Sequence, residues 1–133
     1  MPSVFSMIFN RELPGHFVWE DEDCAAILSI NPTQTGHALV VPRAEIDHWL
    51  DVPQELAAHL MVVAQKVGAA QMTAFEPPRV GLVIAGHEVP HTHLHVIPMF
   101  GIVDLSFANA QASVPPQELA RAAELLRAHL QPD

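Results

Sequence analysis

The sequence predicts an α+β fold built on a five-stranded antiparallel sheet. Five short apolar segments are separated by turn residues, and most of them are joined by connections too short for a parallel crossover. One long helical pattern separates the third segment from the fourth, and a second helical pattern closes the chain. With 133 residues, the chain is expected to form one domain at 1–133, with a core of about 1–110 and a C-terminal helix in 111–133.

Apolar residues between turn signals define the predicted strands. The first reads FVWE, and the second, CAAILSI, follows an acidic turn. The segment NPTQTG then turns the chain, because Pro32 restricts φ and Gly36 permits a positive φ. The third strand reads HALVVP, the fourth VGLVIAG and the fifth HTHLHVIP. The five predicted strands therefore span 17–20, 24–30, 37–42, 80–86 and 91–98.

Helical spacing of apolar residues predicts three helices. A short one at 3–10 is expected to pack Phe5, Ile8 and Phe9. The main helix, 53–74, carries apolar residues on one face, with Asp51 as its expected N-cap; that face contains Leu56, Leu60, Val63, Val67 and Ala70. The last helix begins near Pro115–Pro116.

The charge balance limits the partners. Six basic residues against 15 acidic ones give a formal net charge of −9. Polymeric nucleic acid is therefore not an expected partner, because it requires clustered Lys and Arg. No apolar run approaches the roughly 20 residues of a membrane span, and the N-terminus shows no signal-peptide pattern. With Cys24 as its single cysteine, the chain is expected in the reducing cytoplasm, with no membrane partner.

Three histidines alternate along the predicted fifth strand. His91, His93 and His95 are expected on one face, since side chains alternate across a strand. Three imidazoles on a half-buried face are costly unless their ring nitrogens find partners. Solvated surface residues and a metal site are the alternatives. The outer pair, about 13 Å apart along a strand, is too far apart to share one ion, so nucleophilic catalysis is the favoured interpretation.

Imidazole suits attack on phosphorus near neutral pH, because its unperturbed pKa is about 6.5. It can form a covalent phosphoramidate and so divide one displacement into two. Neighbouring imidazoles can donate hydrogen bonds to phosphate oxygens and supply a proton to the leaving group.

At these residues the chain resembles the histidine triad (HIT) family, whose signature is His-φ-His-φ-His-φ-φ with φ apolar. HTHLHVI matches it except that Thr92 stands at the first apolar position. SVFSMIFNRELPG, NPTQTGHALVVPRAEIDHW and AGHEVPHTHLHVIP resemble the family's N-terminal helix, its Gly-His-x-Leu-Val segment and its closing strand. The resemblance covers nearly the whole chain and is strongest to the Hint-like nucleoside phosphoramidases, including bacterial HIT-like proteins.

The resemblance implies roles for individual residues. His93 would attack the α-phosphorus and carry the nucleotidyl group, His95 would contact the phosphate and assist the leaving group, and His91 would orient the cluster. It also implies a small purine nucleotide as ligand, no cofactor, and a homodimer joined through the main helix and an edge strand. The nucleotide contacts it implies are His37, Ile27, Ser29, Ile30, Gly86, His87, Glu88 and Leu94.

Several positions depart from the family pattern. Ser29 stands where an acidic residue often contacts the ribose, and a hydroxyl binds less strongly than a carboxylate. The loop before the triad is shorter, lacks the family's Asn, and reads Gly86-His87-Glu88-Val89 in place of Gly-Gln-Ser/Thr-Val. Glu88 would repel a phosphate, whereas His87 can replace the Gln as a donor.

The zinc ligands of many bacterial relatives are also replaced. Ser3 and Ser6 occupy the Cys-x-x-Cys positions, and Glu45 occupies that of a downstream His. Serine hydroxyls are poor zinc ligands beside thiolates, so no metal is expected.

Three functions remain open. The first is an enzyme that hydrolyses nucleoside phosphoramidates or related nucleoside phosphate derivatives through a His93 adduct. The second is a nucleotide-binding module with little turnover, favoured by the altered turn and opposed by the intact triad. The third is a histidine-ligated metal enzyme.

Overall fold

The computed structural model describes residues 2–86 and 88–130. Its sheet has the strand order β1-β2-β3-β5-β4, and every neighbouring pair is antiparallel. The predicted α+β class, with the main helix between the third and fourth strands and a helix at the C-terminus, is confirmed. The elements are α1 Val4–Phe9, β1 Phe17–Glu20, β2 Cys24–Leu28, β3 Ala38–Pro42, α2 Gln54–Phe75, β4 Arg79–Val83, β5 Leu94–Met99 and α3 Pro116–His129.

The two faces of the sheet are covered differently. On one face α2 and α3 bury a large apolar cluster that includes Val40, Val67 and Leu126. On the other face the short α1 covers a smaller cluster formed by Phe5, Ile27, Leu39 and Val41. The second face is only partly covered, which leaves room beside α1 for a ligand.

The turn between β2 and β3 is held by two close contacts. Gly36 has a φ of +88°, as the turn prediction required, and a Cβ there would collide with the ring of Phe75 at the end of α2. The side-chain amide of the buried Gln71 donates to the main-chain carbonyls of Gly36 and Val96. The turn is therefore fixed against the helix and the sheet at once.

Several predicted boundaries need correction. β2 ends at Leu28, before Ser29 and Ile30, and β3 begins after His37. β5 begins only at Leu94, because the main-chain N–H and hydroxyl of Thr92 both donate to the carbonyl of Ile46, outside the sheet.

The helix ends also differ from the prediction. Pro53, not Asp51, is the N-cap of α2, since the chain makes a 3-10 turn at Trp49–Asp51 first. α3 begins at Pro116, so 111–115 is not helical. None of the helices in the described part of the chain is long and apolar enough to cross a bilayer.

Candidate active site

Strand register places the side chain of His95 on the face of the sheet that α1 partly covers. Ile27 of β2 pairs with Leu39 of β3, and Leu39 pairs with His95 of β5. Directly paired residues point to the same side of a sheet, so these three side chains form one row across it. His95 therefore faces the same space as the apolar cluster beneath α1.

His93 has one ring nitrogen bonded and one available. Its Nδ1 lies 2.7 Å from the main-chain carbonyl oxygen of His91. Because a carbonyl only accepts, Nδ1 must carry the proton, which leaves a lone pair on Nε2. The residue is 6% exposed and lines the cavity described below, and Nε2 is its ring nitrogen without a proton.

A relay of hydrogen bonds fixes His37 and His95. The main-chain N–H of Thr33 donates to Nδ1 of His37 at 3.1 Å. The neutral His37 ring therefore carries its proton on Nε2, which lies 2.9 Å from Nδ1 of His95 and donates to it. His95 in turn must carry its proton on Nε2. The relay thus leaves an N–H donor on His95, beside the lone pair of His93.

His91 is a support residue with no access to the cavity. It is fully buried, and its Nε2–H donates to the carbonyl oxygen of Pro42 at 2.7 Å. Its Nδ1 accepts from the Ser3 hydroxyl. With both nitrogens bonded, His91 holds the chain segment whose carbonyl orients His93.

His37, His93 and His95 are neutral near pH 7. Burial, with a smaller contribution from neighbouring histidines, lowers the pKa of His37 to about 4 and that of His95 to about 3. Burial is also the main cause that lowers the pKa of His93, while its bond to His91 and the charge of Glu88 oppose the shift. In the free protein the site therefore offers hydrogen-bond donors and a lone pair, not positive charge.

The histidines open into a cavity of about 690 Å³, within the range of small-molecule sites. His93, His95, Gly86 and Glu88 form its polar end. The rest of the lining is mainly apolar and also contains the polar residues Ser29 and Asn31; its apolar residues include Ile8, Leu13, Ile27, Ile30 and Phe107. A smaller cavity of about 270 Å³ shares Ser29 and His37 with it and extends beneath α3.

Most of the expected nucleotide contacts lie around this cavity. His37, Ile27, Ser29, Ile30, Gly86 and Glu88 line it. Leu94 does not: its side chain is buried in the cluster beneath α2, because it alternates with His93 and His95. His87 lies outside the described residues.

Two aromatic residues at the site were not predicted. The ring of Phe107 lies 4.6 Å from that of His95, and the ring of Phe5 lies 4.9 Å from that of His93. Phe107 belongs to a 3-10 turn, Phe107–Asn109, in a stretch without apolar periodicity. The sequence therefore gave no local signal for it, whereas Phe5 was expected to pack but not against the histidines.

The residues at the family's zinc positions do come together. The Ser3 main-chain N–H donates to Oε1 of Glu45, and Ser3 contacts both Ser6 and His91. Hydrogen bonds lower the pKa of the Glu45 carboxyl, and the bond with the Ser6 side chain makes the largest contribution. Two hydroxyls, a carboxylate and one imidazole, already bonded to one another, do not fit a structural zinc.

The fold and the site together define a class of α+β protein, in which histidines at the start of an inner strand face a ligand-sized cavity. The chain belongs to the histidine triad (HIT) family: the model of the HIT domain matches residues 10–102.

Individual relatives agree with this assignment. A HIT-like protein of Borreliella burgdorferi is 36% identical over 104 residues, 73% of this chain and 75% of that protein. The adenosine 5′-monophosphoramidase of Saccharomyces cerevisiae is 31% identical over 71% of this chain and 61% of its own length.

Solved structures show the same fold. A HIT-like protein from Bartonella henselae superposes with a TM-score of 0.86 at 27% identity and covers 96% of both chains. A zinc-bound histidine triad protein from Mycobacterium smegmatis has a TM-score of 0.80 at 30% identity, over 95% of this chain and 91% of its own.

Proposed function

We propose that this protein is a nucleotide-binding hydrolase that cleaves nucleoside phosphoramidates, or related nucleoside phosphate derivatives, through a nucleotidyl-His93 intermediate. The observation that carries the proposal is the Nε2 lone pair of His93 in the cavity, held in that tautomer by the carbonyl of His91. The yeast relative named adenosine 5′-monophosphoramidase supports this reaction. So does a relative from Sulfolobus tokodaii, named a histidine triad nucleotide-binding protein, at 29% identity.

In the first step, Nε2 of His93 forms a bond to the α-phosphorus as the bond from phosphorus to the leaving nitrogen breaks. The leaving amine takes a proton, and His95 is the group beside it that can supply one. In the free protein His95 is neutral. A bound anionic phosphate raises the pKa of a nearby imidazole, so the substrate favours the protonated ring. Nδ1 of His95 then carries the second proton, and its hydrogen bond from Nε2 of His37 must open. Water then attacks the phosphorus, gives a proton to the neutral His95 and displaces His93, which releases the nucleoside monophosphate.

We assign the purine and ribose to the apolar end of the cavity. Ile27 and Ile30 would contact the base, and the hydroxyl of Ser29 would contact the ribose. Ile30 lines the cavity and is 65% exposed, so its side chain is accessible to a ligand. Asn31 donates to the carbonyls of Gln111 and Ala112 and so ties that wall to the loop beyond β5.

The proposal is tested by mass spectrometry of the intact protein after rapid mixing with adenosine 5′-phosphoramidate. We expect a transient adduct heavier by one adenylyl group, located on His93, together with released AMP. Binding of AMP without adduct or turnover would favour the binding module instead, for which the exposed Glu88 at the polar end of the cavity is the specific support. Turnover abolished by chelation would favour the metal enzyme.

A homodimer is part of the same proposal. Met61 and Val62 of α2 and Leu82 of the edge strand β4 are each at least 40% exposed. Apolar side chains exposed together on one helix and on an edge strand suit a subunit interface. Light scattering during gel filtration should give twice the chain mass. A cytoplasmic location remains an expectation from the sequence.

A further inference from the structure

A second cluster of reactive side chains lies away from His93, where the turn between β1 and β2 meets α2. Asp21 belongs to this turn, Cys24 begins β2, and His59 projects from α2. One ligand atom from each of these residues lies within 4.8 Å of the other two. Asp21 and His59 are 38 positions apart in sequence, and only the packing of α2 on the hairpin brings His59 to the other two.

The Asp21 carboxylate is held in a fixed orientation. Its Oδ1 accepts from the main-chain N–H groups of Asp23 and Cys24, at 2.8 and 2.9 Å. Its Oδ2 accepts from the indole of Trp19 at 2.8 Å and faces both other members of the cluster. Nε2 of His59 lies 2.7 Å from Oδ2, and Sγ of Cys24 lies 3.6 Å from it.

The cluster is not arranged as a nucleophile with its base. Cys24 and His59 both bond the carboxylate, so the imidazole does not take the proton of the thiol. Burial and the charges of Asp21 and Asp23 raise the pKa of the Cys24 thiol to about 12, which disfavours a reactive thiolate. The same negative surroundings favour a cation.

We propose that Asp21, Cys24 and His59 form a binding site for a zinc-type divalent cation, independent of the active site. A thiolate, an imidazole and a carboxylate are the donor types that zinc prefers. The side chains of Asp21 and His59 are 25% and 36% exposed. Solvent therefore reaches the cluster, and water can occupy the fourth coordination position. Binding transfers the thiol proton to solvent and moves the proton of His59 from Nε2 to Nδ1.

Two of the three distances within the cluster can be compared with those of tetrahedral zinc. Tetrahedral zinc bonds place an oxygen and a sulfur ligand about 3.6 Å apart, and an oxygen and a nitrogen ligand about 3.4 Å apart. The distance from Asp21 to Cys24 already matches. His59 must withdraw by about 0.7 Å, which its half-exposed position on α2 permits. Two cations in the described part of the chain lie nearby. Arg43, whose Nε donates to the carbonyl of Asp21, is paired with Glu20, and Nζ of Lys66 lies 5.8 Å from the centre of the Trp19 ring.

Cobalt(II) gives the sharpest test, because Cys24 is the single cysteine of the chain. A thiolate-to-cobalt charge-transfer band in the near ultraviolet can therefore arise only from this site. We expect the band to saturate at one Co²⁺ per chain and to be displaced by Zn²⁺. Fluorescence of Trp19, whose indole contacts the ligand atom, should be quenched in parallel.

Variants complete the test. Cys24→Ala should abolish the band, and His59→Asn should weaken binding at least about tenfold, the loss typical even for an outer partner of a metal ligand. His16→Asn, at a half-buried histidine outside the cluster, should change nothing. No band in the wild type, an unweakened band in His59→Asn, or equal cobalt binding by Cys24→Ala would each overturn the proposal. The wild-type titration decides the matter even if Cys24→Ala does not fold.

Discussion

Nδ1 of His93 donates a hydrogen bond to the main-chain carbonyl oxygen of His91 at 2.7 Å. The two residues are two positions apart, so the bond depends on the chain bending just before β5 begins. That bend is held by Thr92, which donates twice to the carbonyl of Ile46, and by His91 itself. The tautomer of His93 is therefore set by local main-chain geometry and not by a carboxylate partner.

His93→Ala should abolish turnover while leaving nucleotide binding nearly unchanged. A nucleophile acts in the transition state, whereas ground-state affinity comes mainly from the other contacts, so we expect a loss in kcat of at least about 10³-fold. Phosphoramidate hydrolysis and calorimetry with AMP measure the two effects. His48→Ala, at an exposed histidine, is the control. Near-normal turnover by His93→Ala would remove it as nucleophile.

His37→Ala should slow the enzyme through His95. Without His37, no donor fixes Nδ1 of His95, so the tautomer that points an N–H into the cavity loses its support. For poor leaving groups we expect kcat to fall about 10²-fold, which is the lower end of the range that proton-transfer catalysis contributes. For good leaving groups we expect a much smaller loss in kcat. His95→Ala should show the same dependence on the leaving group. Equal losses for both leaving-group classes would indicate that these residues only bind the phosphate.

The stability of the free protein should fall as the pH falls from about 6.5 toward 4. The pKa of His37 is about 4 in the native state, against an ordinary value of 6.5. Between these values the unfolded chain binds the proton and the native state does not, so acid favours unfolding. The slope from one such group is at most about 1.4 kcal/mol per pH unit.

His37→Gln tests this assignment, because glutamine keeps an acceptor and a donor but does not titrate. The variant should show a smaller decrease in the free energy of unfolding over the same pH range. His48→Gln should keep the wild-type slope. Identical slopes for all three proteins would show that His37 does not titrate below its ordinary pKa in the native state.

Glu88→Gln should strengthen phosphate binding. Glu88 is exposed at the polar end of the cavity, where its negative charge opposes an anionic ligand. We expect AMP to bind about twofold to fivefold more tightly, a range typical of exposed charge pairs, with the gain reduced at high salt. Glutamine preserves the shape of the glutamate side chain, so a change in AMP affinity that does not depend on salt would indicate altered packing. Weaker binding would mean that Glu88 contacts a cationic part of the ligand.

The strands and helices were predictable because each carries its own periodic pattern. β1, β3 and α2 lie within one residue of their predicted bounds. The start of β5 was not predictable, since it depends on the bonds between Thr92 and Ile46, 46 positions apart. Local alternation in HTHLHVIP suggested a continuous strand and gave no sign of that competing partner.

The site was predictable as a group of residues but not as a hydrogen-bonded arrangement. Alternation along the last strand and the family resemblance singled out His91, His93, His95 and His37. The relay from Thr33 through His37 to His95 depends on the register of β3 against β5, which the sequence does not contain. The same alternation places Leu94 on the opposite face, and it could have excluded Leu94 from the cavity beforehand.

Ser3, Ser6, Glu45 and His91 form a cluster at the start of α1. The wild-type residues form hydrogen bonds that hold α1 against His91, so chelation should leave turnover unchanged. The combined variant Ser3→Cys, Ser6→Cys and Glu45→His should instead bind zinc, because two thiolates and two imidazoles then meet in a tetrahedral set.

The result is measured by elemental analysis and by thermal melting with and without chelator. We expect one more zinc per chain than in the wild type, and a melting temperature that chelation lowers, since metal binding stabilises only the folded site. The single change Glu45→His is the matched control, because it adds an imidazole but no thiolate. If the triple variant bound no additional zinc, the four positions would not converge as the structure places them. A loss of turnover by the wild type on chelation would show that the reaction at His93 depends on a metal.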